Sequence, residues 1–176
     1  MATVPVTRTA VTGEVTIAAH FNDNIRDPLN YLLAKPILKV RQTGAQSIPN
    51  NAHTAQLFDA EDVDSSGMHS TSVNTSRATA VYPGYMSPSG GISFAGNATA
   101  TRGSYWAKSG TPINGSNTLQ SAVQATAYQA ATRADLVFFN VGDYCELFVY
   151  QNSGGALNTS VTAQEQPSMA MRWESN

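Results

Sequence analysis

The densest set of side chains with chemical potential is the run Asp59, Glu61, Asp62 and Asp64. Closely spaced carboxylates can supply oxygen ligands to a hard cation such as calcium. The run lacks the central glycine and the closing glutamate of a helix-loop-helix calcium loop, so it reads as a solvated loop. Three histidines, His20, His53 and His69, stand in three different contexts and at no zinc-ligand spacing. Serines are plentiful, but no Gly-x-Ser-x-Gly elbow offers one as a nucleophile. Cys145 has no cationic neighbour in the chain to lower its pKa and lies in an apolar run, which predicts an inert, buried thiol. Gly13, Gly44, Gly67 and Gly84 are isolated turn glycines rather than a phosphate-cradling loop. Arg41, Arg77, Arg102 and Arg172 are dispersed and form no basic stripe for nucleic acid. The sequence therefore predicts no catalytic, metal or cofactor site, and a protein that is not an enzyme.

Composition points the same way. The chain has 176 residues, a formal charge of -2 and only 12% charged residues, against about a quarter in an average globular protein. Its polarity comes from Thr, Ser, Asn, Gln and Gly, which suits an all-β protein better than a helical bundle with charged outer faces. A single cysteine excludes an internal disulfide. Asn-x-Ser/Thr triplets begin at Asn74, Asn97, Asn114 and Asn158, as chance supplies in so Ser/Thr-rich a chain. No apolar stretch is long enough to cross a membrane as a helix. The opening residues carry no basic segment followed by an apolar one, so synthesis in a cytoplasm without a membrane partner is expected.

One segment reads as helix. Ile17, Phe21, Ile25, Leu29, Leu32 and Leu33 recur at spacings of four and three, which puts them on one face. Thr16 is a candidate N-cap. Pro28, preceded by Asp27 as a second cap, predicts a kink and a short second helix that Pro36 ends. The apolar stripe must pack either on its own domain or on a neighbouring subunit or larger particle. From Ile37 onward the chain reads as short strands: Ile37 to Thr43, Ala55 to Phe58, Ala78 to Val81, Tyr85-Met86, Gly91 to Ala95 paired with Thr99 to Lys108, Leu119 to Tyr128, Asp135 to Val141, Tyr144 to Tyr150 and Ser168 to Trp173. Turn residues punctuate them about every ten residues, which predicts a sandwich or barrel. The expected organisation is an N-terminal arm over 1–36 and a mainly β sandwich over 37–176.

Two resemblances sharpen this. The stretch Gly13 to Leu33, with Gly13-Glu14, Ala18-Ala19, Asn24 and Ile25-Arg26-Asp27, resembles the opening arm of structural proteins of tailed bacteriophages, especially those of actinobacterial hosts. Ile17 stands where the commonest version has Thr. Over about Leu38 to Trp173, Pro83-Gly84-Tyr85, Gly91-Ile-Ser-Phe94, Asn97-Ala-Thr-Ala-Thr-Arg102 and Gly142-Asp143-Tyr-Cys-Glu-Leu-Phe-Val-Tyr-Gln151 resemble the jelly roll of the complement and tumour-necrosis-factor superfamily. The departure is at Ala100-Thr101, where a glycine usually precedes the arginine.

The resemblances imply a homotrimeric jelly roll, with Tyr144, Leu147, Phe148, Tyr150 and Phe138 at the threefold seam. They imply a virion structural protein, foremost a capsid decoration protein on the head surface that contacts the major capsid protein. The arm residues Val4, Val6, Ile17, Phe21, Ile25, Leu29 and Leu32 would dock on the particle. The alternatives are a minor tail or baseplate protein and a host-recognition protein that binds carbohydrate through Tyr82, Tyr85, Tyr105 and Trp106.

Overall fold

The computed structural model describes residues 9, 11–122, 128–131 and 136–175, with the backbone alone for 128–131. The helical arm comprises α1 (Ala18–Phe21), a wider π turn over Asn22–Arg26, and α2 (Asp27–Leu33). The strands are β1 (Ile37–Arg41), β2 (Ser47–Ile48), β3 (Ala52–Ala55), β4 (Ala60–Asp64), β5 (Arg77–Thr79), β6 (Gly84–Phe94), β7 (Thr101–Lys108), β8 (Thr111–Pro112), β9 (Thr118–Ser121), β10 (Tyr128–Ala131), β11 (Val137–Phe139), β12 (Tyr144–Gln151), β13 (Leu157–Asn158) and β14 (Ser168–Ser175). One sheet runs β10-β6-β14-β1-β4 with β11 also on β6; the other runs β3-β12-β7-β8, with β5 on β12 and β9 on β7. A short β13-β2 pair forms a separate ladder, bridged to the end of β6 through Phe94 and Thr159. The result is a mainly β jelly-roll sandwich with a helical arm.

Period-two patterning builds the core. Leu38 and Val40 of β1, Met86, Ile92 and Phe94 of β6, and Met169, Met171 and Trp173 of β14 are buried on the first sheet. Trp106, Cys145, Leu147 and Val149 are buried on the second. Alternate residues of a strand point to opposite faces, and fully burying each large apolar side chain contributes about 1.5–3 kcal/mol. Arg102 is buried as well: its guanidinium lies over the Phe94 ring and donates to the carbonyls of Asn97, Thr99 and Thr101 at 2.9, 2.9 and 3.1 Å. It thereby ties the β6–β7 crossover to the core.

Several local expectations are corrected. Pro28 does not divide the helix into two pieces. Its ring and missing N–H would disturb a regular α-turn at Asn24, and the π turn over Asn22–Arg26 accommodates it within one helical run. Neither Thr16 nor Asp27 caps: the N-cap position is Ile17, and Asp27 is itself helical and paired with Arg26 at 2.7 Å. Tyr85-Met86 and Gly91 to Phe94 belong to one strand, β6, because Pro88 and Gly90 between them keep extended backbone. β6 and β7 do not form a hairpin around Gly96-Asn97; they lie in opposite sheets. Of the expected strand Leu119 to Tyr128, the start lies in β9 of one sheet and Tyr128 in β10 of the other, and 123–127 lie outside the described residues.

Most of the acidic run is a strand rather than a loop: Glu61, Asp62 and Asp64 lie in β4, largely exposed, and Asp59 just precedes it. β4 pairs with β1, with an irregularity between Lys39 and Val40 where Asp62 is the extra residue. Asp62 reaches Arg41 Nε at 2.8 Å and Lys39 Nζ at 3.3 Å, and these cations hold its carboxyl below the usual range. Asp59 accepts hydrogen bonds from Thr43 and Gly44. Among the described residues no three His, Cys, Asp or Glu side chains group as metal ligands.

Gly84 opens β6 with φ +140°, a conformation that side chains rarely adopt. A Cβ there would strike Trp173 Nε1 and the Ser175 carbonyl. Replacing Gly84 with Ala is expected to destabilise the domain by about 3 kcal/mol through backbone strain and overpacking. A urea titration reads this as a lowered midpoint; an unchanged midpoint would mean that β14 does not press on β6 as its register requires.

Candidate assembly surfaces

The arm presents its apolar face outward. Ile17, Phe21, Ile25, Leu29, Leu32 and Leu33 are between 43% and 85% exposed. In a regular α-helix four residues overshoot one turn by about 40°, so a strict spacing of four drifts around the axis. The wider π turn reduces that drift and keeps Ile17, Phe21, Ile25 and Leu29 nearer one line. Val4 and Val6 lie outside the described residues.

A different residue fastens the arm. Tyr31 packs edge-on against Tyr82 at 5.3 Å and Trp173 at 5.0 Å. Lys35 donates to the Glu174 carbonyl at 3.3 Å and lies 5.5 Å from the Trp173 ring centre. Burial, reinforced by Tyr82, pushes the Tyr31 phenol up to about 12. Its hydroxyl is buried without a hydrogen-bond partner among the described residues. Sequence reading missed Tyr31 because it is off the apolar stripe.

The five expected seam residues do not share a face. Leu147 points into the core and is fully buried, because β12 alternates and its outward positions are Tyr144, Phe148 and Tyr150. Those three lie on the outer face of the second sheet, where their rings are largely engaged. Phe148 stacks on Tyr105 at 5.1 Å with planes 2° apart, and His53 packs on both Tyr105 and Tyr150. The Tyr150 hydroxyl donates to Asn51 Oδ1 at 2.6 Å, and the Arg77 guanidinium covers Tyr144 at 4.0 Å.

Phe138 belongs to the first sheet. On β11 it faces Tyr85 of β6 in register, the rings meeting edge-on at 5.3 Å. Both remain about 40% exposed, and Leu136 and Val141, which flank β11 in the chain, are also exposed. Exposed Ile37 opens β1 opposite Arg172, near the end of β14. Ser175 pairs with Tyr85, so these apolar groups lie at the end of the first sheet where the arm joins. Tyr85, Ile37, Leu136 and Val141 were not assigned to the seam from sequence, since nothing local says which strand neighbours which.

The aromatic residues considered for sugar binding form no common platform. Trp106 is fully buried, Tyr82 meets the arm, Tyr85 sits on the first sheet and Tyr105 stacks on the second.

No family model and no curated protein sequence matches the chain. Solved structures do. Murine APRIL superposes with a TM-score of 0.61 at 10% identity, over 80% of this chain and 99% of that one. The globular domain of zebrafish complement 1qA gives 0.57 at 11% identity, over 81% and 100%. Eiger TNF from S. frugiperda gives 0.53 at 10% identity, over 81% and 95%. The fold is thus the jelly roll shared by tumour-necrosis-factor and complement 1q domains. In this chain Pro83-Gly84-Tyr85 enters β6, Arg102 lies on β7, and Gly142-Asp143 turns into β12.

Tyr31→Phe removes a buried hydroxyl that makes no bond, so thermal stability is expected to hold or to rise by up to about 1 kcal/mol. Tyr31→Ala removes the ring contacts, and proteolysis at Arg26 is expected to accelerate. If the Phe variant melts lower than the parent, the hydroxyl has a partner.

Proposed function

We propose that the chain is a non-enzymatic virion structural protein of a tailed phage: a homotrimeric decoration protein on the capsid surface. The carrying observation is the arm, a helix fastened at Tyr31 whose apolar stripe from Ile17 to Leu33 faces away from a sandwich that already has its own core. An apolar stripe of that length requires a partner. The resemblance of Gly13 to Leu33 to phage structural arms supplies the partner class, the major capsid protein. The jelly-roll fold supports a threefold assembly.

Of the residues first assigned to the threefold seam, Phe138 keeps that place, joined by Tyr85, Leu136 and Val141. Tyr144, Phe148 and Tyr150 are set aside because their rings are engaged on the opposite sheet. Three copies would bury the exposed apolar end of the first sheet about one axis, and their arms would leave from that same end. Function is then mechanical. Each trimer joins neighbouring capsid subunits, and the area buried by three stripes, at about 25 cal/mol per Å², adds interfacial free energy that opposes the pressure of packaged DNA.

Two measurements test this. Light scattering of the purified chain is expected to give three times 18.7 kDa, and Phe138→Asp is expected to leave a folded monomer because a charge buried at the seam has no counterion. A monomeric parent at all concentrations overturns the trimer, and a trimeric variant overturns the seam. Deleting residues 1–34 is expected to preserve the folded trimer and abolish binding to particles; retained binding would remove the docking role from the arm.

A further inference from the structure

His69 occupies the segment between β4 and β5, and its imidazole has no solvent-exposed surface. Nδ1 lies 3.0 Å from Glu61 Oε1, and Nε2 lies 3.1 Å from the Thr75 carbonyl oxygen. A backbone carbonyl only accepts, so Nε2 must carry a proton. The same Thr75 oxygen also receives the Phe58 N–H at 3.0 Å. An ionised carboxylate likewise only accepts, so a bond at Nδ1 needs another proton there or on Glu61 itself. Both contacts are hydrogen bonds only when the pair holds one proton more than a neutral imidazole beside an ionised carboxylate.

The irregular register of β4 places Glu61 in this position. With Asp62 as the extra residue, Glu61 stands opposite Val40, whose side chain is buried in the core. Glu61 therefore projects to the side of the edge strand where the His69 ring lies, with its own side chain still 35% exposed. Asp64 sets the ring's backbone: its carboxylate accepts the N–H groups of Ser66 at 3.1 Å and His69 at 2.9 Å. Burial opposes ionisation of Asp64, but N–H groups of Met68, His69, Ser66 and Gly67 outweigh it and hold its carboxyl below the usual range. The other nearby charges are directed elsewhere. Arg77, from β5, lies over Tyr144 and 3.4 Å from Glu146, and Asp59 receives Thr43 and Gly44.

We propose that Glu61, His69 and Thr75 form a proton-dependent clasp, which holds segment 65–76 against β4 and releases it as pH rises. The closed clasp binds one more proton than the open segment, in which water solvates a neutral imidazole and an ionised carboxylate. Closure therefore persists at mildly acidic pH, and its equilibrium constant falls by up to about tenfold per pH unit wherever the open segment has released the extra proton and the closed clasp still holds it. Release uncovers Met68, the buried residue of the segment, and widens the surface pocket of about 280 Å³ lined by Met68, His69, Asn74 and Arg77. The inference does not depend on the virion assignment.

The test is ring 15N NMR of the full chain, between about pH 6 and about pH 9, across the range where imidazole changes charge. It is paired with amide exchange at Phe58 and Thr79, corrected for the intrinsic rate. Thr79 N–H donates to the Met68 carbonyl and reports on the same segment. The parent is expected to show a shared proton at the Nδ1–Glu61 contact at the acid end, and up to about tenfold faster opening per pH unit above it. In Glu61→Gln the amide donates to a neutral Nδ1, so the segment is expected to stay closed with no pH dependence. A parent with a bare Nδ1 and unchanged protection throughout overturns the clasp, as does a Gln variant with the parent's profile. If the variant does not fold, the parent titration decides alone.

Discussion

The contact set around Trp173 joins three parts of the chain that are far apart in sequence. Its ring closes the core end of β14, its Nε1 donates to the Pro83 carbonyl at 2.9 Å, and its face receives Tyr31 and Lys35 from the arm. The tight approach of Gly84 follows from the same ring. β14 is central in the first sheet, between β1 and β6, so a displaced Trp173 would move the strand that holds both neighbours in register. The direction of the arm, and with it the outward aim of the apolar stripe, depends on this packing.

The two sheet faces then divide the work. On the second sheet, outward aromatics satisfy one another: Phe148 stacks on Tyr105, and His53 bridges to Tyr150. On the first, the exposed apolar side chains Tyr85, Phe138 and Ile37 gather at the arm end. There, among the described residues, Tyr85 and Phe138 pair only with each other and Ile37, Leu136 and Val141 stay exposed beside the apolar helix, so this surface has the character of an interface. The second sheet, whose outward rings stack or pack on one another, has already recovered much of that energy within the subunit.

Much of this was legible in the chain and some was not. The spacing of Ile17, Phe21, Ile25 and Leu29 reveals the helix and its stripe, and Gly142-Asp143 marks the entry to β12, because both signals are local. The alternation of Tyr144, Glu146, Phe148 and Tyr150 with Cys145, Leu147 and Val149 separates the faces of β12. Both sets contain large apolar residues, however, so composition does not say which looks inward, and Leu147 was assigned with its neighbours. Which sheet a strand joins depends on long-range pairing, hidden from any window that spans Gly96-Asn97. The edge strand β4 was masked by its carboxylates. Their charge reads as loop until Arg41, Lys39 and His69 are seen to receive them. Tyr31 was passed over for the same reason: a single aromatic off the stripe has no periodic signal.

The most direct test of the account is gold-labelled antibody to the chain on intact phage particles, viewed by negative-stain microscopy. The account predicts gold spread evenly over the head of each particle. Gold confined to the tail end, or particles without gold, would contradict it.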